Sequence, residues 1–188
     1  REALRTTQFW MVCFIYICFG LVQLTIMVHI VPHATGMQIS PINAAVILSI
    51  VGAVSLIARI VVGTLTDKVR VKTSAVICLG CLTLALIWLQ FSNNLWQLYL
   101  FAVVFGFGYG GLSCLQSLIA AELYGLTALG VITAVFSFAF NIGGSTGPYL
   151  AGYIFDISRS YQWAFTLCLI MAAVGLIIAA LLKPPRKT

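Results

Sequence analysis

The chain has 188 residues, 62% of them hydrophobic and only 7% charged, whereas an ordinary soluble domain carries about 25% charged residues. That composition excludes a water-soluble globular surface. The net charge of +6 is not read as nucleic-acid affinity, because its placement along the chain makes it a topology signal.

Uncharged intervals run from Thr6 to Ala58, Thr73 to Ala121, Leu123 to Phe155 and Ser160 to Leu182. A helix needs roughly 20 residues to cross a bilayer core of about 30 Å. The first interval holds two spans, broken near Pro32, Gly36 and Pro41, and the second holds two, broken at Ser92-Asn93-Asn94. The other two hold one each. The expected fold is therefore all-α and integral to the membrane, with spans at 9–31, 42–65, 74–91, 95–121, 128–155 and 161–182. The runs are far longer than the alternating strands of a membrane barrel. The chain opens with charges and then a full-length span, so no cleaved signal peptide is expected.

The first span carries Gln23 and His29. Gln23 has two open readings, an interhelical hydrogen bond or the lining of a polar path, and His29 is expected to be interfacial or packed. The second span contains Arg59, with Ser55 one turn before it. Arg59 is the lone ionisable residue inside a span. Arginine at a helix centre costs about 2.5–3.5 kcal/mol on insertion scales, so it faces a cavity or a partner. An incoming carboxylate would suit a guanidinium through paired hydrogen bonds. The competing reading is snorkelling to the nearby surface.

The third span holds Cys78 and Cys81 as a CxxC in mid-helix. With no second pair and no histidine at ligand spacing, apolar filling is the expected role and no metal or cofactor is expected. The fourth span contains Gly106-Phe-Gly108-Tyr109-Gly110-Gly111, followed by Gln116. Glycines four apart allow close helix approach in lipid, and Gly143 and Gly147 in the fifth span repeat that spacing. Gln116 carries the same two readings as Gln23.

The fifth span also carries Phe140-Asn141 and Pro148. Asn141 is a candidate to line a polar path, and Pro148 suggests a kink. Gly143-Gly-Ser145-Thr-Gly147 matches a hydrolase nucleophile pattern, but that motif needs a strand-to-helix turn and a later histidine. No convergent acid, base and nucleophile set is present, so no enzyme activity is expected.

Lysine and arginine set the orientation. Arg1, Arg5, Lys68, Arg70, Lys72, Lys183, Arg186 and Lys187 fall on one side of six crossings, and Arg159 on the other. Both termini are therefore expected in the cytoplasm, with the chain in the cell (inner) membrane.

The second span closes with Gly63-x-x-x-Asp67-x-x-Arg70 and the fifth with Gly152-x-x-x-Asp156-x-x-Arg159. Three helices separate the copies, and an odd number of crossings inverts a repeat. Two inverted three-helix repeats are expected, a construction used by secondary transporters. Asp67 lies at the unfavourable end of a helix dipole, which makes it a candidate latch together with Lys68 or Arg70.

At this point the chain resembles a family. Gly63-x-Leu65-x-Asp67-Lys68 with Arg70 is similar to the loop signature of the major facilitator superfamily in its C-terminal-half copy. Arg59, the opening "REALRTTQFW", "FGFGYGG", "AELYG" and "GPYLAGYIFDISRSYQW" resemble the monocarboxylate transporter and oxalate–formate antiporter groups. The resemblance implies a twelve-helix carrier of which residues 1–188 are the C-terminal six-helix half, with an N-terminal half as its partner. It implies alternating access, substrate bound between the halves, and Arg59 as the carboxylate ligand. Two departures stand out. Ser55 replaces an acidic residue of several animal monocarboxylate carriers, which removes that element of their proton coupling. The fifth span also lacks the lysine of the oxalate antiporter.

The leading expectation is a secondary carrier of small organic anions, with monocarboxylates foremost and protons as a candidate co-substrate. Arg59, Asn141, Tyr109, Phe140 and Ser55 are the candidate substrate residues, and Gly63, Asp67, Lys68 and Arg70 the candidate gate. The alternatives are a carrier of a neutral, cationic or dicarboxylate solute, or a non-transporting multi-pass protein.

Overall fold

The computed structural model describes residues 6–126 and 128–182. Arg1, Arg5, Lys183, Arg186 and Lys187, five of the cations that set the expected orientation, lie outside the described residues. Six helices follow in chain order: α1 (Thr7–Gly36), α2 (Pro41–Leu65), α3 (Val71–Gln90), α4 (Leu95–Tyr124), α5 (Leu129–Ser158) and α6 (Gln162–Leu181). Each is long and apolar enough to cross a membrane. All four tryptophans, Trp10, Trp88, Trp96 and Trp163, sit near helix ends, where amphipathic rings favour the headgroup level.

The helix ends follow local chemistry. Ser40 caps α2, its hydroxyl accepting the Asn43 N–H at 3.4 Å, with Pro41 at the first helical position; proline forfeits nothing there because that N–H has no helical partner. Gln97 of α4 accepts the Asn93 and Asn94 N–H groups at 2.7 and 3.2 Å, which closes the α3–α4 turn. The first span does not stop at residue 31. α1 continues through Pro32 to Gly36. Proline removes one helical hydrogen bond, and the last turn is held by the Thr35 hydroxyl on the Val31 and Pro32 carbonyls. α5 likewise runs as one helix through Pro148.

The two halves of the bundle pack by exchange. α1 packs most extensively on α5 and α2 on α4, so each repeat's middle helix lies against the other repeat's first helix. α3 joins α6 across the bundle. α1 and α4 are the most buried helices, and α2 and α5 the least.

Glycine makes both main crossings possible. A Cβ at Gly106 of α4 would lie 2.9 Å from the Val51 carbonyl oxygen, and one at Gly110 would collide with the Ser55 backbone. At the other crossing, Cβ atoms at Gly20 and Gly143 would collide with the carbonyl oxygens of Phe140 and Ile17. The two crossings use matching positions of the middle helices. Phe140 follows Val51 by 89 residues, the same offset that separates Asp156 from Asp67. Val51 and Phe140 are thus equivalent positions of the two middle helices, and each meets a glycine of the facing helix, although those glycines, Gly106 and Gly20, lie 86 rather than 89 residues apart.

Side chains fill the space between these crossings. Tyr16, Phe9, Phe101, Phe105, Phe136 and Phe165 are fully buried. Tyr16 stacks on Phe136 at 5.7 Å between ring centroids, and its hydroxyl donates to the Leu112 carbonyl at 3.5 Å.

Gly143→Ala should destabilise the bundle by about 1–3 kcal/mol, because the added methyl meets backbone that cannot rotate away. Gly152→Ala, where nothing lies within 4 Å, should be neutral or gain about 0.5–1 kcal/mol from helix propensity. Thermal unfolding of both variants in detergent measures the contrast.

Candidate functional site

Arg59 lies six residues before the end of α2. Helix side chains lean toward their own N-terminus, which for α2 is the end away from Asp67. The Arg59 side chain follows that rule. Its guanidinium carbon stands 6.0 Å from the centroid of the Tyr109 ring, within reach of a cation–π attraction. Tyr109 is the fifteenth of the thirty residues of α4. Its neighbour Gly110 abuts the Ser55 backbone, one turn back from Arg59. The cation is therefore drawn to mid-depth rather than toward the end of α2.

Around this pair the structure places the other candidates unevenly. Ser55 is 3% exposed, and its hydroxyl donates to the Gly52 carbonyl at 2.7 Å. It packs under Gly110 and turns back on its own helix. Phe140 is half-buried and connects to Tyr109 through Phe19 of α1, with ring centroids 5.4 Å from Phe19 to Phe140 and 6.4 Å from Phe19 to Tyr109. Phe19 was not singled out from the sequence; one phenylalanine among twelve carries no signal of its own. Arg59, Tyr109, Phe19 and Phe140 thus form one connected line across α2, α4, α1 and α5.

Asn141 is exposed beside Phe140, and its amide donates to the Ser137 carbonyl at 2.8 Å. Ser137, Asn141 and Ser145 recur every four residues and are all exposed, a polar stripe along α5. In the sequence Ser145 stands out only within a hydrolase-like pattern, and Ser137 belongs to no motif. The spacing of the three was the available signal. Gln116 of α4 donates to the Thr133 carbonyl at 3.1 Å and to the Ser137 hydroxyl at 2.7 Å. It is an interhelical tie that meets the upper end of the stripe. Gln23 is buried at 8% exposure. His29 shares a 3.1 Å hydrogen bond with the Pro148 carbonyl and so ties α1 to α5.

The candidate gate lies elsewhere. Gly63 is in the last turn of α2, its position facing Cys114. Asp67, Lys68 and Arg70 are exposed in the α2–α3 loop. α2 ends at Leu65, before its aspartate, whereas α5 extends past Asp156 to Ser158. Asp67 therefore stands outside the helix, in a turn closed by Lys68 and Val69 N–H groups on the Leu65 carbonyl. Among the described residues it makes no ion pair with Lys68 or Arg70. No group of three histidine, cysteine or acidic residues that could hold a metal occurs among the described residues.

Six apolar helices in two inverted repeats, with one cation held at mid-depth, define a multi-pass membrane protein built like half of a secondary transporter. Residues 2–188 match the model of the Major Facilitator Superfamily, and the chain belongs to that family, whose members are transporters rather than enzymes. Monocarboxylate transporter 12 of Homo sapiens is 32% identical over 168 residues, covering 86% of this chain and 33% of that protein. Monocarboxylate transporter 7 of Homo sapiens is 28% identical over 160 residues, covering 83% of this chain and 31% of that protein. The chain spans about a third of the length of these relatives. In fold it is similar to a chain from a structural study of substrate recognition in proton dependent oligopeptide transporters, with a TM-score of 0.82 at 17% identity over 95% of this chain and 42% of that one. A bacterial homologue of the human drug peptide transporters gives a TM-score of 0.80 at 18% identity, over 93% of this chain and 41% of that one.

Gln116→Leu should lower stability by about 0.6–1.7 kcal/mol, the range for interhelical hydrogen bonds in membrane proteins. Ser137→Ala in the Gln116→Leu background should add less than it does alone, because the two share one bond. A double-mutant cycle on thermal unfolding in detergent checks both statements.

Proposed function

We propose that this chain is the C-terminal six-helix half of a secondary active transporter for small organic anions, with monocarboxylates as the favoured class. The observation that carries the reading is Arg59: a guanidinium drawn to mid-depth over Tyr109, on an exposed position, with no anionic partner among the described residues. A buried-depth cation without a counter-ion is costly in lipid, and a substrate carboxylate would supply the missing charge through a pair of parallel hydrogen bonds. The names of the monocarboxylate relatives point to the same substrate class.

In this reading the substrate sits between this half and an N-terminal six-helix half, against the open faces of α2 and α5. Tyr109 holds the guanidinium in place, Phe19 and Phe140 form an apolar floor, and Asn141 with its serine neighbours offers neutral hydrogen bonds to the rest of the solute. Ser55 acts through packing, by setting how closely α4 approaches α2. Transport follows alternating access, with the two halves rocking about the bound anion. Asp67, Lys68 and Arg70 form the gate on the cytoplasmic face, where the partner of Asp67 is a group of the other half. The excess of Lys68, Arg70 and Lys72 at one end of the bundle over Arg159 at the other supports a cytoplasmic position for that loop, with the carrier in the cell membrane.

The uncharged stripe Ser137–Asn141–Ser145 favours a second reading, in which the solute is neutral and Arg59 meets a carbonyl or hydroxyl oxygen.

The test is counterflow in liposomes reconstituted with the complete carrier, using a panel of labelled monocarboxylates and a neutral polyol, with and without a pH gradient. Arg59→Ala should reduce anion exchange at least about a hundredfold, the loss expected for a charge-assisted pair at low dielectric. Arg59→Lys should retain part of it, since the charge stays but the paired geometry does not. Anion exchange at the wild-type rate in a normally folded Arg59→Ala carrier overturns the anion assignment. Arg59-dependent exchange of the polyol alone establishes the neutral reading instead. A Asp67→Asn carrier should keep substrate affinity and change the exchange rate.

A further inference from the structure

A groove lies at the other end of the bundle from the α2–α3 loop. The end of α1 and the α5–α6 turn border an open groove of about 670 Å³, a size that accommodates small ligands. Its walls include Pro32, His33 and Met37 from the α1 side and Phe155, Arg159 and Tyr161 from the turn.

Three features of these walls point the same way. The first is an aromatic surface with a fixed back. Phe155 and Tyr161 stack at 4.2 Å between centroids and 18° between planes. Behind them Tyr161 also meets Phe165 at 5.9 Å and the rings of His29 and His33 at 5.2 and 6.1 Å. The second is charge. Among the described residues, Arg159 is the single Lys or Arg at this end of the bundle, and it makes no ion pair there. Asp156, one turn earlier on α5, is exposed and does not pair with it.

The third is backbone conformation. Arg159 caps α5 with φ of 55°, in the left-handed region. Helices commonly end on a residue in that conformation, and it is usually glycine, because a Cβ is strained there. Here an arginine holds the position, and strain of this kind gathers at functional sites. Hydrogen bonds close the turn around it. The Ser158 hydroxyl donates to the Ile154 carbonyl at 2.7 Å and accepts the Ser160 N–H at 3.4 Å. The Ser160 hydroxyl accepts the Gln162 N–H at 3.2 Å, which leaves its own hydrogen for a ligand.

We propose that this pocket is a second binding site, for a small aromatic carboxylate, with the carboxylate on Arg159 and the Ser160 hydroxyl and the ring against the Phe155–Tyr161 wall. A flat ring suits an offset stack on those side chains. The carboxylate finds Arg159, the one Lys or Arg at this end of the bundle among the described residues. The site is separate from Arg59 and does not depend on the transport reading.

Equilibrium binding of labelled benzoate to the complete carrier in nanodiscs, blanked against empty nanodiscs, tests the site. Arg159→Gly is the informative variant, because it removes the guanidinium and relieves the backbone together. Its benzoate affinity at this site should fall about tenfold or more, while its thermal midpoint holds or rises. Tyr161→Leu should weaken benzoate more than cyclohexanecarboxylate, which has the same charge and no aromatic face. Both variants are made in an Arg59→Ala carrier, so benzoate held at the central site does not mask loss of this one, and failure of the two sites is read separately. Benzoate binding in the Arg159→Gly variant equal to that of its Arg59→Ala parent, or no binding to that parent above the blank, overturns the proposal.

Discussion

Backbone-to-backbone contact at two crossings organises this bundle. Lipid tails are as apolar as the side chains, so burying leucine against leucine drives little association between membrane helices. What remains is dispersion, which needs many atoms at close range. Gly20 and Gly143 supply that range between α1 and α5, and Gly106 and Gly110 supply it between α2 and α4. The candidate site follows from the second crossing. Gly110 rests on Ser55, so its neighbour Tyr109 arrives one turn from Arg59 and meets the guanidinium. A wider crossing would leave the same residues in the same helices without the contact.

Polarity then divides the surfaces of the bundle. α1 and α4 are largely buried, whereas α2 and α5 expose long faces. Those faces mix isoleucine and valine with Arg59, Ser137, Asn141 and Ser145. Serine and asparagine can bond back to their own helix, and Asn141 and Ser145 do so, through the Ser137 and Asn141 carbonyls. Arginine adds a full positive charge to its donors, and the neutral carbonyls of its own helix cannot balance that charge. That asymmetry makes Arg59, rather than the stripe, the residue around which a functional reading forms.

Much of the fold was legible because membrane crossing imposes a coarse and strict rule. Long uncharged runs had to be helices, and their number and sequence limits came within a few residues of the structure. The exceptions have local causes. Pro32 reads as a stop, yet α1 passes it because one lost bond is cheap beside the Thr35 hydroxyl contacts of the same turn. The repeated G-x-x-x-D-x-x-R reads as one helix end used twice. The structure gives two different ends, since α2 stops before its aspartate and α5 runs past it. The site was legible in part. Arg59 announced itself by being charged in an apolar run, and Asn141 by being polar. Phe19 was hidden, since a phenylalanine in a membrane span is the expected residue wherever it points.

The amino-acid sequence by itself determined that the chain crosses a membrane six times, that its halves repeat upside down, and that one cation lies within a span. Those properties depend on composition and order, which are local or periodic in the chain. Tertiary structure alone decided that Arg59 reaches mid-depth over Tyr109, that Phe19 joins Tyr109 to Phe140, that Ser55 faces a glycine, and that Arg159 borders an aromatic pocket. The first three are contacts between helices far apart in sequence, and the fourth brings the α5–α6 turn against the end of α1. Such contacts are set by the depth and rotation at which two helices lock, and glycine-sized gaps fix that depth and rotation only once both helices are present.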